Sequence, residues 1–197
     1  MKLRPLLSLS VCALSLSLGA CTATPADLPE DDEASFSEAE IRLKTDASIK
    51  REIAAAAEGA VYVSEGDYPF KAVSASLPDG TRTLTEAIVR DKLAWVVDHD
   101  PDTDKPLAGL YGEQRSFAEW RRDYASCDAD AYPGPEECAR IRAMNDVLAK
   151  NLRGIKVFYF GRAGSPGHVD GVAVSILIVG RTPKGNLAGV RTIAIWT

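Results

Sequence analysis

Residues 172–196 read VAVSILIVGRTPKGNLAGVRTIAIW, and this stretch decides the class of fold. Residues 172 to 179 and 187 to 196 are dense in Val, Ile and Leu, side chains that suit a pleated and buried surface, and they make two strong strands. Thr182-Pro183-Lys184-Gly185-Asn186 joins them, with Gly185 and Asn186 as the turn-makers. Upstream, Val157 to Phe160 is a further strand. The helix before it opens with Pro135 in its first turn, carries Ile141, Met144, Leu148 and Leu152 on one face and stops at Gly154. Val73, Ala75 and Leu77 alternate as in a strand that ends at Pro78-Asp79-Gly80, and Thr85 caps a short helix through Ala94. Val61-Tyr62-Val63 is short and extended and leads into the turn-like Ser64-Glu65-Gly66-Asp67. Ser37 and Glu40 form a capping box for a first helix over 37–58, where Ile49, Ile53, Ala56, Ala57 and Ala60 recur at helical spacing and Gly59 supplies the stop. Helices around a small sheet give an α+β domain, a layered α/β/α sandwich with a mixed or antiparallel sheet.

The amino end has a different character. Lys2 and Arg4 precede an apolar run from Leu6 to Leu18, which is too short to span a bilayer and has the length of a secretory h-region. Leu18-Gly19-Ala20-Cys21 resembles the lipobox of bacterial lipoproteins, which implies that residues 1–20 are removed and that Cys21 is acylated. An ordinary signal peptide that contains a cysteine is the competing reading. Several acyl chains on Cys21 would make a stable anchor, since one alone binds membranes marginally. Thr22 beside it implies sorting to the outer membrane, facing the periplasm, where an aspartate usually means retention at the inner membrane. Residues 21–36 are mainly Pro, Ala, Asp and Glu and form a tether, because such a segment buries too little apolar surface to offset its ordering entropy. The domain is then residues 37–197. Cys12 leaves with the signal, which leaves Cys127 and Cys138; an oxidising envelope and the intervening Tyr132-Pro133-Gly134-Pro135 favour a disulfide between them.

The chain has 23 basic and 28 acidic residues; loss of Lys2 and Arg4 leaves 21 against 28, a formal charge near −7. Such a surface is repelled by phosphate and is not the footprint of a direct nucleic-acid binder. Catalytic signatures are missing: there is no Gly-x-Ser-x-Gly elbow, no His-Glu-x-x-His pair and no P-loop. Gly161, Gly164 and Gly167 imitate a dinucleotide fingerprint, but Pro166 and a strand start at Gly171-Val172 leave no helix for the pyrophosphate. Asp98, Asp100, Asp102 and Asp104 do not make an EF-hand, because Thr103 and Gly109 stand where Gly and Glu are needed. His99 and His168 read as surface or turn residues. No cofactor and no resident metal are implied, and the chain does not read as an enzyme.

Two stretches, Ser64-Glu65-Gly66-Asp67-Tyr68-Pro69-Phe70 and Thr182-Pro183-Lys184-Gly185-Asn186-Leu187-Ala188-Gly189 with the chain ending at Thr197, resemble motifs of the nuclease A inhibitor family. The similarity covers roughly residues 38 to 197, with elements in the same order. It implies a binding partner, a secreted or periplasmic non-specific DNA/RNA endonuclease of the ββα-metal class, whose active site the inhibitor occupies. By that resemblance the loop glutamate is Glu65, and the C-terminal threonine, whose carboxylate and hydroxyl reach the nuclease metal, is Thr197. Mg²⁺ prefers hard oxygen ligands and keeps positions open for the substrate phosphate, so an inserted carboxylate competes for them. One departure stands out: the family's Asp-Trp-Tyr segment falls on Asp130-Ala131-Tyr132, which leaves Trp120 and Trp196 as candidates to replace the missing aromatic. The alternative to an envelope-anchored inhibitor is an outer-membrane structural or interaction lipoprotein that keeps the fold without nuclease binding.

Overall fold

The computed structural model describes residues 44–94, 110–127, 133–162 and 172–196. Cys21, the Ser37 capping box, the acidic run Asp98–Asp104, His99, Asp130-Ala131-Tyr132, Gly164, Gly167, His168 and Thr197 lie outside them.

Ten residues each of β5 (Arg153–Arg162), β6 (Val172–Arg181) and β7 (Leu187–Trp196) form an antiparallel meander. β3 (Lys71–Ala75) joins along β7 and β4 (Leu110–Ser116) along β5, so the sheet order is β3-β7-β6-β5-β4 and every pairing is antiparallel. The sheet is thus antiparallel, one of the two forms expected. Gly161 sits inside this ladder opposite Tyr111, not at a phosphate-binding turn.

Period-two alternation makes two cores from one sheet. Val157, Tyr159, Val174, Ile176, Ile178, Ala188, Val190 and Ala194 pack with the helices α1 (Asp46–Ala57), α3 (Phe117–Asp123) and α4 (Pro135–Asn151). Phe158, Phe160, Leu177, Val179 and Leu187 face the other way, onto Leu84, Leu93 and Val89 of α2 (Glu86–Lys92). Side chains such as Phe158, Ile176 and Leu177 are fully buried, each stabilising by about 1.5–3 kcal/mol relative to exposure. This is the α/β/α layering of an α+β domain.

Two features of the helices differ from expectation. Lys44 and Thr45 are not helical, and Thr45 caps α1 by accepting the Ser48 N–H at 3.2 Å. The start is pinned there because Lys44 donates to Glu52 (2.6 Å) and to Asn151 of α4 (3.0 Å). The Asn151 amide in turn donates to Glu52 at 3.1 Å. That network, led by the Lys44 hydrogen bond, holds the Glu52 carboxyl below its ordinary pKa. The second difference is β4 and α3, which the sequence reading left undefined. α3 is started by a capping box between Ser116 and Glu119. Elsewhere, Thr85 caps α2 and Pro135 opens α4 as read; the strands expected at 157–160 and 73–77 occupy 153–162 and 71–75.

The turn at 182–186 does more than reverse the chain. Gly185 has φ +87°, and Thr182 both accepts the Gly185 N–H and donates its own N–H to Asn186 O, each at 2.8 Å. The Asn186 side-chain amide then donates to Asp46 at the start of α1, at 2.6 Å. Cys127 and Cys138 are bridged, with Cα atoms 5.5 Å apart, joining the segment after α3 to the first turn of α4. In the chain-entropy picture so short a loop stabilises by about 2–3 kcal/mol.

Candidate functional site

β1 (Val61–Tyr62) and β2 (Tyr68–Pro69) form a two-residue antiparallel ribbon whose connection, residues 63–67, carries Glu65. A ribbon this short is not stable alone, so its position must come from contacts at both ends. At its base the Phe70 N–H donates to Ala60 O at 2.9 Å. The Tyr62 ring stacks on Trp120 of α3, with centroids 6.0 Å apart and planes at 20°. Phe70 meets both rings edge-on at 6.4 Å, and Tyr124 lies 5.1 Å from Trp120. Trp120 is 3% exposed and donates its indole N–H to buried Asn145 at 3.0 Å. Buried in this way, it does not stand at the surface as a substitute for the missing aromatic: it is the post to which the ribbon is fastened. Phe70 is buried in the core and Tyr68 shapes the loop, its ring packed so closely over Gly66 that a Cβ there would come within 2.7 Å of it.

At the tip, the loop is tied to the end of β7. The Glu65 N–H donates to Ile195 O at 3.1 Å, the Ile195 N–H donates to the Ser64 hydroxyl at 3.2 Å, and that hydroxyl donates to Gly66 O at 2.7 Å. Thr192 Oγ1 donates to Tyr68 O at 3.0 Å. The exposed Glu65 is thus held against the strand whose sequence runs on to Thr197, with Asp67 exposed beside it. Of the two motifs singled out in the sequence, only this one lies here. The turn at 182–186 is at the opposite end of β7, eight residues or roughly 27 Å away.

The family model described as nuclease A inhibitor-like protein matches residues 47–197. This chain belongs to that family. The match begins in the first turn of α1 and runs through every later described element, so the ribbon, its loop and β7 all belong to the nuclease A inhibitor-like domain. Its role at family level is that of a nuclease-inhibitor-like protein. Comparison with curated proteins gives no match. Sequence reasoning named Glu65 through the family motif and placed it on this loop, whereas it did not single out Ser64, Thr192 and Ile195, which seat the loop. Their bonds link residues more than a hundred positions apart, and no local pattern announces them.

Burial around the ribbon has a measurable consequence. Desolvation raises the phenol pKa values of Tyr124 and Tyr159 well above the ordinary range, with a smaller push from Tyr62. Their folded-state pKa exceeds the unfolded value near 10, so the stability they carry is complete below pH 10 and is lost as pH rises beyond it. For two such groups the loss approaches about 2.7 kcal/mol per pH unit. In an absorbance titration at 295 nm, at least two of the six tyrosines should ionise only together with loss of the circular-dichroism signal. Reversible titration of all six near pH 10 in a folded protein would contradict this burial.

Proposed function

We propose that this protein is a non-catalytic inhibitor of a metal-dependent, non-specific endonuclease, which it blocks with the Glu65 carboxylate and the carboxylate and hydroxyl of Thr197. The observation that carries the reading is the seating of the Glu65 loop on Ile195, two positions before Thr197 in the chain. A carboxylate on a loop braced in this way loses little freedom on binding, which favours affinity. The family assignment supports the nuclease as the class of partner. In the same proposal the chain is exported, residues 1–20 are removed, a lipid on Cys21 holds it at the outer membrane facing the periplasm, and residues 21–36 tether the domain. An oxidising compartment is consistent with the Cys127–Cys138 bridge.

The test is inhibition of a Mg²⁺-dependent ββα-metal nuclease by the lipid-free chain carrying Cys21→Ser. Stoichiometric inhibition is expected. Glu65→Ala and, separately, a short peptide added after Thr197 should each weaken it about a hundredfold, the size of a strong interfacial contact. Absence of inhibition against every such nuclease tried would leave a structural or interaction lipoprotein as the better reading.

A further inference from the structure

We infer that Ser64 is a positioning residue which makes the Glu65 loop and the end of β7 a single recognition unit. The inference rests on the inhibitor reading above. It begins with an uncovered edge. β3 pairs with β7 only from Leu187 to Arg191, whereas β7 continues to Trp196. Beyond Arg191 the sheet edge is taken over by the ribbon: Thr192 bonds Tyr68, and Ile195 is gripped through both its N–H and its C=O by Ser64 and Glu65. In an antiparallel strand these two groups of one residue point to the same side, so Ile195 directs both toward the loop.

The Ser64 hydroxyl holds the key position because it serves two ends at once. A hydroxyl has one hydrogen to donate and two lone pairs to accept with. Here the hydrogen goes to Gly66 O, which folds the loop around Glu65, and a lone pair takes the Ile195 N–H, which docks the loop on the strand. Loop shape and the docking of the tip on β7 therefore meet at one oxygen. The Glu65 N–H to Ile195 O bond and the Thr192 to Tyr68 bond remain without it, but the Ile195 N–H loses its acceptor and the Gly66 carbonyl its donor. With both bonds, Glu65 and Ile195 keep one mutual geometry before any partner arrives, and contacts made from the loop and from this end of β7 become coupled.

Ser64→Ala removes the oxygen and Ser64→Thr keeps it. In the inhibition assay, Ser64→Ala should weaken inhibition about tenfold, or about 1.4 kcal/mol, with an unchanged melting temperature, and Ser64→Thr should restore it. In a Glu65→Ala background the same change should cost less than about twofold, because a positioning residue has nothing left to position. An equal loss in both backgrounds, or no loss in the wild-type background, overturns the inference. Amide hydrogen exchange of the full chain gives a readout that needs no nuclease: Ser64→Ala should speed exchange at both Ile195 and Glu65 while β6 stays protected. If the wild-type chain inhibits nothing, the inhibitor reading falls on that result alone. Unaltered exchange at Ile195 would overturn the clamp itself.

Discussion

Trp120→Ala is expected to lower the unfolding free energy by about 4–5 kcal/mol and to release the Glu65 ribbon as it does so. Truncating a buried Trp costs about 3–5 kcal/mol through lost transfer energy and the cavity left behind. Here a second term adds to it. Asn145 is 1% exposed; its Oδ1 accepts the indole N–H, and its Nδ2 has no hydrogen-bond partner among the described residues. Removing the indole strands a buried carbonyl oxygen as well, a penalty of about 1–3 kcal/mol unless water enters the gap. Tyr62 and Phe70 both pack on that ring, so the two-residue ribbon loses the surface that holds it. Since domains of this size are stable by only about 5–15 kcal/mol, the variant should melt far below the parent. Urea denaturation followed by circular dichroism gives the number. Trp120→Phe keeps much of the stacking area and loses the donor, so it should fall between the two; a Trp120→Ala variant within about 1 kcal/mol of the parent would mean that the indole is not the post described.

Gly189→Ala should be nearly as damaging, although it adds one carbon. Gly189 is the third residue of β7, where its backbone passes so close to β6 that a Cβ would fall 2.0 Å from Ile178 O and 2.7 Å from Val179 Cα. Both obstacles are main-chain atoms in the centre of the sheet, flanked by the fully buried Ile178 and Val179. No rotamer change can relieve the overlap; β6 and β7 must move apart and weaken their ladder. Overpacking of a tight core costs about 1–3 kcal/mol when side chains can adjust, and this site belongs at or above the upper end because they cannot. A melting temperature lowered by several degrees would bear this out. An unchanged melting temperature would not.

Much of this architecture is written in local patterns. The β6–β7 hairpin could be read because its two apolar runs flank a Pro and Gly turn, and α4 because Pro135, Ile141, Met144 and Leu148 carry both the start and the buried stripe. β4 could not. Among the described residues Leu110-Tyr111-Gly112-Glu113-Gln114-Arg115-Ser116 is the end strand of the sheet, and from Glu113 to Ser116 it holds no apolar residue, so it lacks the alternation that marks a strand in sequence. The start of α1 differs from the expectation for another reason: Thr45 caps it beside Lys44, whose bond to Asn151 spans more than a hundred residues, and the Ser37 box lies outside the described residues. α3 is the plain omission, because Ser116 and Glu119 spell a capping box that was there to be read. For the site, a family motif pointed to Glu65, while its seating depends on contacts with β7 that no window of neighbouring residues contains.

The bond from Asn186 to Asp46 bears on traffic around the molecule as well as on the fold. It fixes the start of α1 beside the 182–186 turn, while the far end of the helix leads through Ala60 into the ribbon and Glu65. The described domain therefore receives its chain at one pole and offers its acidic loop at the other, roughly 27 Å along β7. On the reading proposed above, a nuclease would meet the loop at the end of β7 away from the start of α1.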